Sequence, residues 1–588
     1  MDKSEVAAVL EEIGLLLELK GENAFKTRAY KTAARTLEGL PEDLGKLVAE
    51  DRLGEVPGIG DALRQKITEL VTTGKLAYHE KLRAEFPAGL FDLLDLPGLG
   101  PKKVKALYEQ LHLSDIPALE AACKEGRLAA LAGFGAKTEA NILLSIEQRR
   151  NYQSQHRLGD VLDIAEDLVD TLRTHPDIHR VSVGGSLRRG KEIVKDIDLL
   201  ASCAPEHAKG IMDAFVALPE VTRVLNHGET KSSVLLADGL QCDLRVVPDR
   251  DFATALHHFT GSKEHNVAMR QRAIAQGKKL SEWGLFKTDK DGNEIEKLPI
   301  YTEEELFHEL GLDPIPPEIR ENLGEIEAAD HGKGKGQSIP RLVEWTELRG
   351  AFHNHTNASD GSNTLEEMAA AAAGVGLAYF GLADHSKSSF QANGLDEARF
   401  EAQLAAVAKF NANPDKEIHL FSGVECDILK EGRLDFDDAF LAKFDYVVAS
   451  LHAGFTKDED EMTRRLVRAM ENRHVTILGH ATGRLLLRRE GYPLNLDRII
   501  DCAAETGTWI ELNANPWRLD MDWRWWHKAR DKGVKCVINA DAHKTTDLAY
   551  LKIGVKVARK GWLRKEDVAN TMPLEEMKTA LQAKRKRG

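Results

Sequence analysis

The second half of the chain repeats one pattern, a short apolar run followed by a residue that can bind a metal. The runs are YFGLADH, HLFSGVE, YVVASLH, VTILGH, WIELN and CVINADAH, and stretches with helical periodicity separate them. This alternation of strands and helices predicts a layered α/β or barrel fold. In a barrel of parallel strands, the side chains that follow the strands meet on the C-terminal face.

Nine histidine, aspartate and glutamate residues lie at the ends of these runs or in the segment GAFHNHTNASDG, which precedes the first of them. They are His353, His355, Asp360, His385, Glu425, His452, His480, Asp541 and His543. A single histidine in such a place is more often a core or loop residue, and a His-x-His pair can equally be hydrogen bonded in a turn. Nine together exceed what one ion needs, so they predict a cluster of two or three Mn²⁺, Zn²⁺ or Fe²⁺ ions that would generate a hydroxide nucleophile.

The bulk properties of the chain exclude several classes of protein. A length of 588 residues predicts three or four domains, and a formal net charge of −14 argues against a protein coated in positive charge. No apolar run reaches the roughly 18 residues of a membrane span, and the N-terminal segment lacks the basic region of a signal peptide. Six scattered cysteines without a CxxC motif predict a reduced, cytoplasmic protein.

Three copies of one glycine-rich phrase interrupt the helical pattern of residues 1–150. They are VPGIGDALRQKI, LPGLGPKKVKAL and LAGFGAKTEANI. The phrase resembles the helix-hairpin-helix motif, in which two glycines permit a tight turn and the next helix directs free N–H groups at a phosphate. By that resemblance the DNA-binding residues are Gly58, Gly60, Gly98, Gly100, Lys102, Gly133 and Gly135. Each copy alone could instead be a plain turn between two packed helices.

The segment VGGSLRRGKEIVKDIDLL places Asp196 and Asp198 on one face of an apolar strand. Like charges this close are unfavourable without a cation, and Asp243 in the run QCDLRVV supplies a third carboxylate. Three converging aspartates suit two Mg²⁺ or Mn²⁺ ions about 3.5–4 Å apart, an arrangement for in-line phosphoryl transfer. The preceding Gly-Ser turn would offer donors to a triphosphate. The alternative is a surface Asp-x-Asp pair beside a solvated arginine turn.

This pattern resembles the nucleotidyltransferase palm of family X DNA polymerases, the group that includes DNA polymerase beta. Further matches follow in order as GETKSS, DLRVVP and HFTGSKEHNVAMR. The resemblance implies that Asp196, Asp198 and Asp243 are catalytic metal ligands. It implies nucleotide-binding roles for Gly185, Ser186, Arg189, Phe259, Gly261, Asn266 and Arg270.

Two positions depart from the pattern of the beta enzyme. His258 stands where that enzyme has a tyrosine, so its ribose discrimination does not carry over. The N-terminal region resembles the domain that grips a 5′-phosphate, and Lys66 aligns with the lysine of its lyase activity, but a second lysine of that pocket is replaced. Lys66 is therefore a candidate lyase nucleophile, a phosphate contact or a solvated helix residue.

The nine candidate ligands resemble those of the PHP (polymerase and histidinol phosphatase) domain, a distorted (β/α)₇ barrel with a three-metal phosphoesterase site. The order of the two parts matches the bacterial and archaeal PolX family. This implies a repair polymerase that fills short gaps, with a Mn²⁺-dependent 3′–5′ exonuclease and abasic-site cleavage as a further activity. Two alternatives stay open: a phosphatase of a small metabolite with a degenerate polymerase half, and a non-catalytic DNA scaffold.

The predicted fold is multidomain, with all-α hairpins first, an α/β palm with a small thumb next and a barrel last. The expected parts are a helical 8-kDa-like domain at 1–85, a fingers-like hairpin domain at 86–150, the palm at 151–250, a thumb-like subdomain of helices and turns at 251–327, a linker at 328–346 and the barrel at 347–580. The expected partners are gapped or primer-template DNA and dNTPs. We expect a monomer in the cytoplasm, associated with the nucleoid through DNA and with no membrane.

Overall fold

The computed structural model describes all residues except 2, 39–43, 57, 95, 97–98, 129–130, 132, 154, 332–338, 457 and 586–588. It divides the chain into two compact units, Met1–Gln153 and Ser154–Gly588. Within the described residues, no helix combines the length and the apolar character that crossing a bilayer requires.

The first unit is helical because apolar residues recur on one face of each segment. Its helices are α1 Lys3–Lys20, α2 Ala24–Glu38, α3 Leu44–Ala49, α4 Asp61–Thr73, α5 Ala77–Arg83, α6 Gly89–Leu94, α7 Pro101–Leu111, α8 Ile116–Lys124 and α9 Ala136–Gln153. In α1, Val6, Leu10, Ile13 and Leu17 recur at three- or four-residue spacing and are at most 1% exposed. These faces enclose one apolar core, which confirms the all-α N-terminal region.

The second unit begins with the palm. Its elements are β1 His156–Arg157, α10 Leu158–Arg173, β2 Arg180–Val183, α11 Gly185–Arg188, β3 Ile193–Val194, β4 Asp196–Cys203, α12 Ala208–Val216, β5 Arg223–His227, β6 Lys231–Leu235 and β7 Gln241–Pro248. Five strands form a sheet in the order β2-β4-β7-β6-β5, in which β4 and β7 are parallel neighbours. The two strands that carry the predicted aspartates therefore lie side by side within the sheet.

A small thumb follows the palm. Its elements are α13 Phe252–Thr260, α14 Lys263–Ala275, β8 Lys278–Ser281, β9 Gly284–Thr288, β10 Glu294–Lys297, α15 Glu303–Glu309 and α16 Glu325–Ala329. The expectation of helices and turns alone is wrong here, because β8, β9 and β10 form an antiparallel sheet. The runs KKLS and EIEK are charged and mostly exposed, so they lack the apolar alternation by which a strand is recognised.

The last part is a barrel. Its elements are β11 Gly350–Ala351, α17 Leu365–Gly374, β12 Tyr379–Leu382, α18 Glu397–Asn411, β13 His419–Asp427, α19 Asp438–Leu441, β14 Tyr446–Ser450, α20 Glu459–Met470, β15 Ile477–Leu478, α21 Leu496–Thr506, β16 Trp509–Asn513, α22 Trp526–Asp531, β17 Cys536–Asn539, α23 Tyr550–Lys560 and α24 Leu574–Arg585. The seven strands are parallel and pair in chain order. His355 N donates to Ala542 O over 2.8 Å, which joins the last strand end to the first and nearly closes the predicted barrel.

Palm and barrel share one continuous apolar core. Gly159 of α10 lies so close to Pro516 and Ile553 that a Cβ on the glycine would overlap both. Within the predicted linker, Leu342 and Val343 are buried, and Val343 N donates to Leu563 O over 2.9 Å. Palm, thumb and barrel are therefore one compact unit, and the domain boundaries inside it stay predictions.

Candidate active sites

Three aspartates come together on the palm sheet. Asp196 and Asp198 lie on one face of β4, and Asp243 of β7 pairs with Asp198 across the parallel strands. Lys231 Nζ lies 2.7 Å from Asp243 Oδ2. The structure therefore groups the three predicted catalytic aspartates around the β4–β7 pair.

The electrostatics of this cluster favour a bound cation. Burial raises the pKa of Asp198 to about 6, and the Asp196 and Asp243 carboxylates act in the same direction. Burial also acts to raise the pKa of Asp243, but hydrogen bonds, with that of Lys231 first, outweigh it and lower this pKa. A cluster of oxygen donors alone suits Mg²⁺ or Mn²⁺.

The turn before β4 can approach the aspartates because it contains two glycines. Gly184 N donates to Asp198 O over 2.8 Å, and Gly185 has a φ of +60°. A Cβ on Gly185 would overlap the Asp198 carboxylate. Ser186 follows within α11, so the turn fixes this predicted triphosphate contact close to the aspartates.

Arg189, the other predicted triphosphate contact, is held by its surroundings. Its Nε donates to Glu321 Oε1 over 3.0 Å, and its Nη1 donates to Thr260 O over 2.6 Å. Lys560, a barrel residue of α23, donates to the Arg189 carbonyl over 3.1 Å. The thumb and the barrel therefore fix the position of Arg189, and Glu321 balances part of its charge.

One asparagine organises the segment that was predicted to contact the nucleotide. Asn266 Nδ2 donates to His258 O over 2.7 Å and to Gly261 O over 3.3 Å. Phe259 packs under an arginine of β7 whose guanidinium lies 4.6 Å from the ring centre. Arg270 lines a small cavity together with His258 and Asn266. The four predicted residues of this segment therefore surround the end of α13 and the start of α14.

In the barrel, the predicted ligands gather at the C-terminal ends of the strands around Glu425. Glu425 Oε1 lies 3.2 Å from His353 Nε2, 3.2 Å from His452 Nε2 and 3.0 Å from His480 Nε2. Glu425 Oε2 lies 2.8 Å from His385 Nδ1. Four of the predicted ligand histidines therefore converge on the Glu425 carboxylate.

The remaining predicted ligands lie around His355. His355 Nε2 lies 3.2 Å from Asp541 Oδ1, and its ring stacks on those of His385 and His543 at 4.5 and 4.3 Å. Asp360 Oδ2 lies 3.4 Å from His543 Nε2. Asp541 has a φ of +53°, a left-handed conformation that is uncommon outside glycine but that aspartate tolerates better than most residues.

This group of side chains fits a cluster of metal ions. Among the described residues, four sets of three or four ligand atoms lie within 4.8 Å of one another, and all four sets are in the barrel. Both ring nitrogens of His355 are buried and make no hydrogen bond of good geometry in the described chain. Buried polar atoms of this kind are costly unless a partner such as a metal takes them up.

The charges of the barrel group balance one another. Burial acts to lower the pKa of His353, but nearby carboxylates, with Glu511 first, outweigh it and raise this pKa. Burial acts to raise the pKa of Glu425, but the histidines around it, with His353 first, lower this pKa well below its usual value. The group therefore keeps Glu425 ionised, the state in which a carboxylate binds a metal.

Two carboxylates that orient ligand histidines were not identified from the sequence. His353 Nδ1 lies 2.7 Å from Glu511 Oε1, and His452 Nδ1 lies 2.8 Å from Asp427 Oδ1. Such partners fix the ring orientation and raise the basicity of a ligand histidine. A signal was present for both, because WIELN and SGVECD place these charged residues inside apolar strands.

The hairpin glycines of the first unit stand where long helices begin. Gly58 and Gly133 have φ values of +86° and +87°. Gly60 and Gly100 directly precede α4 and α7, and Gly135 directly precedes α9. Gly98 lies outside the described residues. Lys102 is exposed in the first turn of α7. Both glycines of the motif are described before α4 and before α9, whereas only Gly100 is described before α7.

Lys66 lines a cleft of about 620 Å³ in the first unit, together with Lys26, Tyr30 and Tyr78. Its Nζ lies 3.2 Å from Ala62 O and 5.0 Å from the centre of the Tyr78 ring. The Lys66 ammonium therefore lies over the face of an aromatic ring within this cleft. Lyase activity of Lys66 stays a prediction.

Four family models match the chain. The Helix-hairpin-helix domain matches residues 1–76, and the SAM-like Helix-hairpin-helix tandem matches residues 90–148. The DNA polymerase beta thumb matches residues 255–321, and the PHP domain matches residues 351–515.

Curated relatives match the whole chain or its parts. DNA polymerase/3'-5' exonuclease PolX of Bacillus subtilis is 39% identical over 583 residues, 99% of each chain. A protein of Caldanaerobacter subterraneus named "Probable phosphatase" is 29% identical over 43% of this chain and 96% of its own length. DNA polymerase lambda of Arabidopsis thaliana is 28% identical over 50% of this chain and 57% of its own length. The chain belongs to the PolX family, in which a family X DNA polymerase is joined to a C-terminal PHP domain.

Proposed function

We propose that this protein is a DNA-directed DNA polymerase that fills short gaps during repair and trims 3′ ends with its own 3′–5′ exonuclease. The observation that carries the proposal is that one chain holds both the palm aspartates and the nine grouped barrel ligands. The name of the full-length relative, DNA polymerase/3'-5' exonuclease PolX, supports it. Gapped or primer-template DNA and dNTPs are the proposed substrates, and the hairpin helices are the proposed contacts to the DNA backbone.

In the polymerase site, the chain would position the nucleotide and the primer end. Asp196, Asp198 and Asp243 would hold two Mg²⁺ or Mn²⁺ ions, which when bound stabilise the attacking and leaving oxygens of phosphoryl transfer. Asp243 would also help to remove the proton of the primer 3′-hydroxyl. Ser186 and Arg189 would donate to the triphosphate.

In the barrel, the nine ligands would hold two or three ions of Mn²⁺, Zn²⁺ or Fe²⁺. Such a cluster, when bound, supplies a nucleophile near neutral pH and polarises the phosphodiester. Glu425 would help to hold the ions from its central position, while Glu511 and Asp427 would keep His353 and His452 oriented. Cleavage at abasic sites is a further proposed activity, and the proposed setting is a monomer in the cytoplasm, associated with the nucleoid.

Substitutions in each half test the two-site proposal. We expect Asp243→Ala to abolish primer extension on gapped DNA with Mn²⁺ while sparing 3′ trimming, and we expect His353→Ala to do the reverse. Both activities are measured on one labelled primer by gel electrophoresis, and circular dichroism confirms that each variant is folded. A folded variant that loses both activities would contradict two separate sites.

The second candidate is a phosphatase of a small metabolite, which the similarity to "Probable phosphatase" proteins favours. Phosphate release from histidinol phosphate, with no trimming of DNA by the same preparation, would support this candidate over the nuclease.

A further inference from the structure

The barrel exposes aromatic side chains around its metal-ligand face. Among the described residues after 338, three aromatic side chains are exposed: Phe390 at 73%, Phe455 at 42% and Trp517 at 44%. Each stands in the loop that follows a parallel strand, β12, β14 or β16 respectively. Since the ends of parallel strands share one face of a barrel, these rings lie on the same face as the nine ligands.

Phe390 is exposed although its loop is firmly held. Ser389 Oγ donates to Asp427 Oδ2 over 2.5 Å, and Ser388 N donates to Asp435 Oδ2 over 2.7 Å. On the other side, Asn393 Nδ2 donates to Ala358 O over 3.1 Å. A loop pinned on both sides presents the ring in a defined place, where it buries little apolar area for the protein itself.

The same loop contacts the metal-ligand group. Asp427, which accepts from Ser389, also lies 2.8 Å from Nδ1 of the ligand His452. The rings of His385 and His452 are 5.2 Å apart, so the loops that follow them begin side by side. Phe390 follows His385 by five residues, and Phe455 follows His452 by three.

The rings of Phe455 and Trp517 both contact neighbouring side chains. The Phe455 ring stacks on Tyr492 at 5.5 Å with an interplanar angle of 20°. The Trp517 ring is covered by the guanidinium of Arg157, a palm residue 3.2 Å from its centre. Trp517 therefore belongs to the contact between palm and barrel. The Phe455 ring also has the Arg489 guanidinium 5.3 Å from its centre, so within the described residues Phe390 is the exposed barrel ring left for a ligand.

A nucleobase is the ligand that matches the Phe390 ring. A phosphodiester bound at the buried ligand group leaves the adjoining bases at the rim, and an unpaired base offers a flat face for stacking on an aromatic ring. We infer that Phe390 forms a subsite that stacks on an unpaired base of a DNA 3′ end. This rests on the proposed exonuclease function, and it adds a side chain that would hold the substrate there.

The test compares two single strands that differ only at the 3′ end. One ends in thymidines, and in the other the last two nucleotides carry abasic sugars, so the backbone is kept and the bases are removed. With the full-length protein and Mn²⁺, we expect Phe390→Ala to lower kcat/KM for trimming the thymidine end by about 10-fold, as for one base–aromatic stack, and to leave the abasic end unchanged. Phe390→Leu should cause a smaller loss of the same kind. Tyr301→Ala, which removes a ring that is 55% exposed on the thumb side of the unit, is the matched control and should change neither rate.

A binding readout independent of trimming uses a strand with 5-iodouracil at its 3′ end, irradiated with the protein in EDTA. Crosslinks mapped by mass spectrometry to Phe390 are expected. Equal losses on both strands, no loss on either, or crosslinks confined to other segments would overturn the subsite. If wild-type protein trims neither strand, the proposed exonuclease fails, while the crosslinks still decide whether the Phe390 ring contacts a base.

Discussion

Glu511 shows how much one carboxylate contributes to the barrel site at the scale of single residues. Its Oε1 lies 2.7 Å from His353 Nδ1 and accepts from Asn539 Nδ2 over 2.9 Å. Its Oε2 accepts from the backbone N–H of His480 over 2.7 Å and from Asn513 Nδ2 over 3.2 Å. Both oxygens are therefore acceptors, and the residue connects two ligand histidines without being one of the nine ligands.

We expect Glu511→Gln to weaken metal binding in the barrel by about 10- to 100-fold, the usual effect of losing a partner of a ligand histidine. Both oxygens of Glu511 accept hydrogen bonds, but glutamine has only one acceptor oxygen. Its amide nitrogen would therefore face a donor group and lose that hydrogen bond. Calorimetric titration of the full-length protein with Mn²⁺ measures the change, and primer extension should persist. Glu505→Gln, at an exposed position of α21 just before β16, is the control. Unchanged affinity in Glu511→Gln would contradict this role.

At the scale of elements, helix α23 of the barrel supports the nucleotide site of the palm. Lys560 at its end is fully buried and donates to Arg189 O and Glu318 O over 3.1 Å each, and to Glu321 Oε1 over 2.6 Å. Glu321 in turn accepts from the Arg189 side chain. Lys560 therefore hydrogen bonds both to the backbone of Arg189, a predicted triphosphate contact, and to Glu321, the side chain that pairs with Arg189.

We expect Lys560→Met to raise the KM for dNTP while leaving 3′ trimming in place, because Arg189 loses its support but the barrel ligands do not. Removing one member of a buried charged pair should also lower the free energy of unfolding by about 3 kcal/mol. Steady-state gap filling and denaturant unfolding measure the two effects. The matched control is Lys552→Met, on an exposed face of the same helix. A loss of trimming equal to the loss of synthesis would instead indicate general unfolding.

At the scale of the whole molecule, palm and barrel behave as one compact unit and the hairpin region as another. A partly buried arginine, Arg484, strengthens the palm–barrel contact by pairing with Glu192 of the palm and Asp522 of the barrel. The eight tryptophans all lie beyond residue 153. Tryptophan fluorescence therefore reports on the second unit alone.

We expect chelation of metal to lower the melting temperature seen by tryptophan fluorescence and to leave the melting of the first unit unchanged. Ligands that bind only the folded state stabilise it, by about 2.7 kcal/mol at a free concentration 100 times the Kd. Melting curves of the full-length protein in Mn²⁺ and in EDTA, followed by fluorescence and by far-ultraviolet circular dichroism, separate the two units. A fluorescence curve with two steps would contradict a single palm–barrel unit.

The sequence by itself determined the architecture and the kinds of chemistry. Apolar runs that alternate with helices predicted a layered α/β or barrel fold, and the resemblance to the PHP domain selected the barrel. Carboxylates inside apolar runs marked Asp198 and Glu425, because charged groups in apolar strands need a partner. The sequence does not predict the thumb sheet because β8 and β10 are rich in charged residues and lack apolar alternation, although Leu285 of β9 is buried. Local patterns of this kind carry no information about which distant segments meet.

Only the tertiary structure decided which groups meet. Glu511 orients His353 from 158 positions away, and Arg484 pairs with Glu192 from 292 positions away. Nothing in the sequence distinguishes Phe390 from the other phenylalanines. Its exposure on the ligand face follows from the strand order and from the hydrogen bonds of its loop. The physical reason is that periodicity reports whether a side chain faces the core, whereas its partner depends on how the strands and helices pack together.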